Sequence, residues 1–230
     1  MRRLSFVVTA GPTREFLDPV RFLSNPSTGK MGFAVARAAA ARGHEAVLVA
    51  GPVSLKTPKG VSRVDVVSAR DMLAAVEDAL GRIAANGGEP VLVATAAVAD
   101  WRPAKCAAKK LKKSEMDGVV RLVRNPDILK SVECARKVGF AAETGDVTAE
   151  ASRKCREKGL EMIVANDVTE KGAGFGADTN RVTILKPDGS RVRLPLMSKQ
   201  AVARRIVREI ERSSQNTAAT GKSAPRKHRR

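Results

Sequence analysis

The chain has 230 residues, 43% of them hydrophobic, and carries 42 Lys and Arg against 24 Asp and Glu, a net charge of +18. That length predicts one sizeable α/β domain, with or without an appendage. No apolar run reaches the roughly 20 residues that span a bilayer, and the first residues lack the apolar core of a signal peptide. The three cysteines are odd in number and far apart, which argues against a disulfide framework. We therefore expect a cytoplasmic protein with no membrane partner.

Part of the positive charge lies at the end of the chain, where residues 213–230 contain five Lys and Arg and no acidic residue. We predict that this segment is a disordered basic tail and that residues 1–212 form the domain. Basic proteins bind polyanions nonspecifically. Aromatic residues make up only 3% of the chain, so stacking surfaces for single-stranded nucleic acid are scarce. We expect no specific nucleic-acid partner.

The hydrophobic pattern predicts strands and helices that alternate along the chain. The predicted strands cover residues 4–9, 44–50, 61–67, 90–95, 119–123, 138–144 and 161–166. The predicted helices cover residues 30–42, 69–85, 147–158 and 199–210, with a further one from Pro126. Residues 181–185 and 192–196 flank an Asp188-Gly189 turn, which predicts a hairpin. The pattern indicates an α/β fold of three layers, Rossmann-like, with a mostly parallel sheet and a late antiparallel β-hairpin.

The longest predicted loop, residues 11–32, joins the first strand to the first helix. It is rich in Gly, Ser, Thr, Asn and Arg. Glycines let a ligand approach the backbone, and the following helix directs free N–H groups and its positive end at the loop. The run Ser27-Thr28-Gly29-Lys30 superficially resembles a P-loop, but the chain lacks the glycine spacing of that motif. We predict an anion-binding loop; the alternative is a surface loop that caps a helix.

Several other segments fall where predicted strands end or, in one case, just before a helix. With the first loop they are Gly11 to Gly32, Ala96 to Arg102, Asn125 to Leu129, Phe140 to Thr144, and Asn166-Asp167. Ligands of open parallel sheets bind at the carboxyl ends of the strands, so we predict that these segments form one site. The small residues Ala96 and Ala97 leave room for a flat ring. Asp100 is suited to accept from an amino group or a ribose hydroxyl; its alternative role is that of a turn residue.

Residues 104–118 are of a different kind, because lysines crowd them at Lys109-Lys110-Leu111-Lys112-Lys113. This charge density argues against a packed element and predicts an exposed flap. The flap either closes over an anionic ligand or is a solvated loop.

Seven motifs, taken together and in this order, resemble phosphopantothenoylcysteine synthetase, the ligase of coenzyme A biosynthesis, over about residues 4–210. They are Gly11-Pro12-Thr13-Arg14-Glu15, Ser24-Asn25-x-Ser27-x-Gly29-Lys30-Met31-Gly32, Ala96-Ala97-Val98-Ala99-Asp100-Trp101-Arg102-Pro103, Lys110-Leu111-Lys112-Lys113, Asn125-Pro126-Asp127-Ile128, Gly139-Phe140-Ala141-Ala142-Glu143-Thr144 and Ala165-Asn166-Asp167. Many bacteria fuse this synthetase to a flavin-dependent decarboxylase. We expect here a free-standing or excised synthetase, with a separate phosphopantothenoylcysteine decarboxylase as a partner.

The resemblance implies a reaction and its substrates. The carboxylate of 4′-phosphopantothenate attacks the α-phosphate of CTP, which releases pyrophosphate and forms an acyl-cytidylate. The amine of cysteine then displaces CMP. The resemblance also implies CTP rather than ATP, Mg²⁺ that arrives with the nucleotide and needs no dedicated protein ligands, and a homodimer.

The resemblance also implies roles for particular residues. Asn25 binds the acyl group. Lys110 neutralises the triphosphate together with Lys154 and Lys158. The alternative for Lys154 and Lys158 is that they lie on a solvated helix face and bind no ligand. Lys30, Arg14 and Arg21 bind the substrate phosphate or fix the loop. The predicted nucleotide- and substrate-binding set is completed by Gly11, Ser27, Gly29, Ala96, Ala97, Asp100, Pro126, Asp127, Ile128, Leu129 and Phe140.

Two other functions stay open at this point. A dinucleotide-dependent oxidoreductase would use a similar sheet, but the chain lacks G-x-G-x-x-G after the first strand and an acidic residue at the end of the second. A nucleic-acid-binding module would suit the charge but lacks a supporting motif.

Overall fold

The computed structural model describes residues 2–112, 114, 118–134, 136–143, 147–167 and 169–220. The helices are α1 (Lys30–Ala41), α2 (Ala69–Ala85), α3 (Ile128–Ser131), α4 (Val147–Glu157) and α5 (Lys199–Thr220). The strands are β1 (Ser5–Ala10), β2 (Arg14–Phe16), β3 (Phe22–Ser24), β4 (Glu45–Ala50), β5 (Ser62–Asp65), β6 (Pro90–Ala94), β7 (Trp101–Pro103), β8 (Leu122–Arg124), β9 (Arg136–Glu143), β10 (Met162–Asp167), β11 (Thr179–Asn180), β12 (Thr183–Leu185), β13 (Arg191–Arg193) and β14 (Met197–Ser198).

Eight of the described strands form the central sheet, in the order β13-β12-β10-β9-β6-β1-β4-β5. The strands from β10 to β5 run parallel to one another. β12 and β13 form an antiparallel hairpin at the edge of the sheet opposite to β5. The predicted α/β fold, with a mostly parallel sheet and a late hairpin, is confirmed.

Helices cover both faces of the sheet and so make three layers. Phe6 and Val8 of β1 pack against α1 and α5, whereas Val7 between them packs against α2. Ile163 of β10 faces the same side as Val7, where it packs against α4. All six residues of β1 are buried, which explains why the strand shows no polar alternation in the sequence.

Two short antiparallel ribbons lie outside the central sheet. β2 pairs with β3 inside the long loop that the sequence predicts without strands. β7 pairs with β8, so the strand predicted over residues 119–123 begins later and joins residues just after Asp100 rather than the main sheet. Ribbons this short depend on their tertiary neighbours, and three residues carry too little pattern to be found from the sequence.

The helix starts follow local capping. Ser68 and Asp71 form a capping box at the start of α2, with the Asp71 amide donating to Ser68 Oγ at 3.2 Å. α3 differs from the prediction, because Asp127 rather than Pro126 defines its start: Asp127 Oδ1 accepts from the Lys130 amide at 3.3 Å.

The last helix is longer than predicted, since α5 reaches Thr220 rather than ending near residue 210. Residues 213–220, predicted as the start of a disordered tail, therefore continue that helix. Arg136 holds this part: its Nη2 donates to Ile210 O at 2.8 Å and its Nη1 donates to Ser214 Oγ. Residues 221–230 lie outside the described residues, and the division of the chain at residue 212 stays a prediction.

In the described part of the chain, no helix combines the length and apolarity needed to cross a membrane. Cys106, Cys134 and Cys155 are all free thiols, as the cysteine spacing predicts.

Candidate active site

Two adjoining cavities open at the carboxyl ends of the parallel strands. The larger has a volume of about 640 Å³ and the smaller about 110 Å³. Ala96, Ala97, Phe140, Ala142 and Phe175 line both, so the two spaces meet along one shared wall. A volume of several hundred Å³ is typical of small-molecule sites.

The predicted convergence of the strand ends is confirmed for the described residues. The larger cavity is lined by these predicted site residues: Asn25, Ala96, Ala97, Asp100, Pro126, Asp127, Ile128, Leu129, Phe140, Lys154 and Lys158. The smaller cavity adds Ser27, Gly29 and Asn166. Thr144 lies outside the described residues.

The shared wall is bonded to the loop that follows β1. The amides of Ala96, Ala97 and Ala99 donate to Thr9 Oγ1 (3.2 Å), Gly11 O (2.9 Å) and Thr13 Oγ1 (3.0 Å), respectively. The small side chains keep this wall thin. Segments 9–13 and 96–99 are therefore held together by hydrogen bonds, and we call these two segments the floor of the cavities.

Gly11 supports this floor but does not line either cavity. It has a φ of +79°, which L side chains rarely adopt, and a Cβ there would approach Val53 Cγ1 to 3.0 Å. The structure places Gly11 behind the wall through its bond to Ala97.

Asn25 lines the larger cavity on the side of the first loop. Its Nδ2 donates to Ala97 O at 3.1 Å, which fixes the amide against the floor. A side-chain amide nitrogen carries two hydrogens, so the second N–H remains for a ligand.

The far rim of the larger cavity is built by the segment around Asn125. The Asn125 amide donates to Asp100 O and its Nδ2 donates to Ala99 O, both at 2.8 Å. Arg102 Nη1 in turn donates to Asn125 Oδ1 at 3.1 Å. These bonds fix the backbone of Asp100, whose exposed side chain lines the larger cavity, as does the N-cap residue Asp127.

Three cations line the larger cavity. Lys154 and Lys158 lie one helical turn apart on α4 and just beyond its end, as their spacing predicts. Lys158 Nζ pairs with Asp127 Oδ2 at 2.9 Å, and Lys154 Nζ lies 3.5 Å from Glu150 Oε1. Arg124 is the third; its guanidinium stacks on Trp101 at 5.2 Å from the ring centroid. None of the described carboxylates forms an ion pair with Arg124.

Lys110 lies elsewhere. It is exposed, in the predicted flap, and it is absent from the lining of either cavity. The described residues of segment 104–112 are mostly exposed, which agrees with a flap rather than a packed element.

The smaller cavity lies at the start of α1. Gly29 is the N-cap of this helix in a left-handed conformation, with φ at +76°. Thr28 Oγ1 donates to Phe175 O at 2.9 Å, and Lys30 Nζ pairs with Asp178 Oδ1 at 2.7 Å. The first loop and segment 172–178 thus close over the helix N-terminus.

A buried lysine organises the same segment. Lys199 is only 6% exposed, and its Nζ donates to the carbonyls of Gly174 (3.0 Å), Phe175 (3.0 Å) and Ala177 (2.6 Å). Burial lowers the pKa of Lys199 below its ordinary value, and the nearby charge of Lys30 lowers it further, with Asp178 opposing both. Lys199 therefore holds the backbone that presents Phe175 to both cavities.

The sequence interpretation missed Arg124, Phe175 and Lys199. A signal existed for the segment, because residues 167–180 are polar and rich in glycine, but nothing in that pattern identifies Phe175. The described residues contain no group of three or more His, Cys, Asp or Glu side chains placed to hold a metal ion.

The family described as "DNA/pantothenate metabolism flavoprotein C-terminal domain" matches residues 1–213 of the chain. The coenzyme A biosynthesis bifunctional protein CoaBC of Bacillus subtilis is 47% identical over 216 residues, which cover 92% of this chain and 52% of that protein. CoaBC of Escherichia coli K12 is 44% identical over 218 residues, 91% of this chain and 52% of that protein. The chain spans about half the length of the curated relatives it matches.

Solved structures agree with these sequence matches. The crystal structure of the C-terminal domain of CoaBC has a TM-score of 0.76 at 40% identity, and the match covers 94% of this chain and 98% of that one. A Cab2 mutant in complex with phosphopantothenate-cysteine has a TM-score of 0.75 at 15% identity, covering 96% and 89%, which supports the fold alone. The family resemblance inferred from the seven motifs is confirmed.

Proposed function

This chain belongs to the family of DNA/pantothenate metabolism flavoprotein C-terminal domains, and we propose that it is a ligase that joins 4′-phosphopantothenate to cysteine. CTP activates the acid as an acyl-cytidylate, and the reaction releases pyrophosphate and CMP. The observation that carries the proposal is the meeting of two cavities along Ala96 and Ala97. One is large and lined by cations, and the other lies at a helix N-terminus.

The larger cavity suits the nucleotide. Phe140 and the small residues of the shared wall offer a flat, apolar surface, and Asp100 and Asp127 offer acceptors for amino or hydroxyl groups. Lys154, Lys158 and Arg124 offer positive charge for the triphosphate. Cations are needed because the first step brings a carboxylate to an anionic phosphate.

The smaller cavity suits the acid substrate. The free N–H groups at the start of α1 and the positive end of its dipole favour an anionic group there. Because the cavities share a wall, an acid in one lies beside the α-phosphate of a nucleotide in the other. Proximity of this kind converts a bimolecular encounter into an effectively intramolecular step.

The chemistry needs no nucleophilic side chain. A carboxylate oxygen bonds to the α-phosphorus as the bond to pyrophosphate breaks. The cysteine nitrogen then bonds to the acyl carbon, the bond from that carbon to CMP breaks, and the nitrogen gives up its proton to water. We assign to the second N–H of Asn25 the role of donating to the acyl oxygen as negative charge develops there.

Mg²⁺ is proposed to arrive on the phosphates of CTP, which suits its preference for oxygen ligands and retained water. Asp127, the acidic residue nearest the cavity lysines, is already paired with Lys158. A homodimer, a phosphopantothenoylcysteine decarboxylase as partner and a cytoplasmic location belong to the same proposal.

The test is a pyrophosphate-release assay with purified protein. We expect release that requires both CTP and 4′-phosphopantothenate, and amide formation that requires cysteine as well. ATP in place of CTP tests the choice of nucleotide. Release without the acid, or no release with both substrates, would contradict the proposal.

A further inference from the structure

Asp18 is a charged residue that the cavities do not explain. It lies in the turn between β2 and β3, its relative exposure is 0%, and it lines neither cavity. Its Oδ1 accepts from the amides of Val20 and Arg21, both at 2.8 Å, and its Oδ2 accepts from Arg21 Nε at 2.9 Å. A buried carboxylate with this many donors is a built structural feature rather than a solvated turn residue.

One further donor comes from the flap, far away in the sequence. The Leu111 amide donates to Asp18 Oδ2 at 3.2 Å, and Arg21 Nη2 donates to Leu111 O at 2.8 Å. Nearby, the Ala107 amide donates to Leu17 O at 2.9 Å. The turn at residues 17–21 therefore holds the flap at two points, and Lys110 lies between them.

The bonds to Asp18 require its charged form. Burial alone would raise the pKa of Asp18, but the hydrogen bonds from Arg21, Val20 and Leu111 outweigh burial and hold that pKa well below its usual range. The flap carries several lysines within a few residues, and like charges of this density repel one another. A fixed negative charge at the base of the flap offsets part of that repulsion.

We propose that Asp18 is a positioning residue for the nucleotide, which acts through the Leu111 backbone to fix the segment that carries Lys110. This inference rests on the proposed function and on the role that the family resemblance implies for Lys110, which is to neutralise the triphosphate of CTP. Asp18 itself touches no substrate. Removing the Asp18 carboxylate is expected to weaken the binding of CTP, which needs Lys110, and to leave the binding of cysteine unchanged.

The experiment compares Asp18→Asn, Lys110→Gln and the double variant in the pyrophosphate-release assay. Asp18→Asn keeps the size of the side chain and removes the charge that binds Leu111. We expect the KM for CTP to rise about tenfold, as for the loss of a hydrogen bond to a charged group. The KM for cysteine, measured from amide formation, should stay unchanged. The double variant should be no worse than Lys110→Gln, because both changes remove the same contribution. The proposal would be overturned if the increases in the KM for CTP multiplied in the double variant, or if Asp18→Asn raised the KM equally for every substrate.

Two additions keep the test decisive if Asp18→Asn does not fold. Leu111→Pro removes the amide donor, replaces the leucine side chain and restricts the local backbone. It leaves the Asp18–Arg21 contacts in place, so it should reproduce the rise in KM. Asp78→Asn, at an exposed ion pair with Arg82, is the matched control and should behave as wild type. A normal KM in folded Leu111→Pro would overturn the proposal.

A second readout does not depend on activity. Trypsin should cleave the native Asp18→Asn chain faster after Lys109, Lys110 or Lys112 than the wild type, and Asp78→Asn should not differ. Unchanged cleavage would show that Asp18 does not hold the flap. If the wild type releases no pyrophosphate, the proposed function fails and so does the role in nucleotide binding, while the cleavage rates still decide whether Asp18 holds the flap.

Discussion

Lys158 Nζ lies 2.9 Å from Asp127 Oδ2, so the end of α4 is joined to the N-cap of α3 across the larger cavity. Both residues line the site, and a phosphate bound there competes with Asp127 for the same ammonium group. Substituting either residue should therefore affect nucleotide binding in a different way.

Lys158→Gln should raise the KM for CTP about tenfold, because one charge-assisted bond to phosphate is lost. Asp127→Asn should leave the fold intact, since Asn is as good an N-cap as Asp. It should also make the KM for CTP rise more steeply with salt, because Lys158 then meets the phosphate without a carboxylate partner and salt screens that attraction. Steady-state kinetics at two salt concentrations check both expectations. A KM unaffected by Lys158→Gln would place the triphosphate elsewhere.

Asn25→Asp should separate the two chemical steps. The carboxylate cannot donate to an acyl oxygen, and its charge opposes the charge that develops when cysteine attacks. We expect pyrophosphate release to continue while amide formation slows by roughly a hundredfold, the scale found when one oxyanion donor is lost. Asn86→Asp, at the exposed C-cap of α2, is the control. Equal slowing of both products would remove Asn25 from the second step.

Lys110→Gln should reduce the use of CTP strongly, although Lys110 lines neither cavity in this structure. The expected cause is the loss of a positive charge that the long Lys110 side chain extends toward the triphosphate from the flap, which also helps to exclude water from the acyl-cytidylate. Competition assays with CTP check this, with Lys59→Gln in an exposed turn as the control. Unchanged kinetics would assign the flap no part in catalysis.

Glu211→Gln should reduce stability without affecting the site. Glu211 is 6% exposed, and its Oε1 accepts hydrogen bonds from Arg42 Nε at 2.6 Å and from His44 Nε2 at 2.8 Å. These bonds join α5 to the end of α1 and the start of β4. His44 Nδ1 accepts from the Leu4 amide, so Nε2 is the nitrogen that donates. Breaking a buried pair of this kind costs about 3 kcal/mol in the free energy of unfolding at pH 7.

The same pair has a defined pH dependence. Burial raises the pKa of Glu211, but the bonds from Arg42 and His44 outweigh it and hold the pKa below its ordinary value. The stabilisation is therefore complete above the ordinary carboxyl pKa, near 4.5, and is lost as the pH falls through the lower value of the folded chain. Denaturant unfolding from pH 7 to pH 3 should show the wild type and Glu211→Gln converging in acid. Glu77→Gln, on the exposed face of α2, is the control, and its free energy of unfolding should change with pH as that of the wild type does.

The alternation of strands and helices could be read from the sequence because it depends on neighbouring residues. Buried runs such as β1 and the capping box at Ser68 are local patterns, and the order of parallel strands then places their carboxyl ends at one edge. That reasoning identified five of the segments that contribute to the cavities, but it missed the segment that contains Phe175.

Contacts between residues far apart in the chain required the tertiary structure. Nothing near Asp18 in the sequence indicates that Leu111 donates to it, and nothing near Phe175 indicates that Thr28 fixes its carbonyl. The last helix continues beyond its predicted end, and there Arg136 donates to Ser214, a partner that no local pattern encodes. Such pairs depend on how whole layers pack, since a side chain's neighbours across the fold are set by the sheet and helices between them rather than by its own segment.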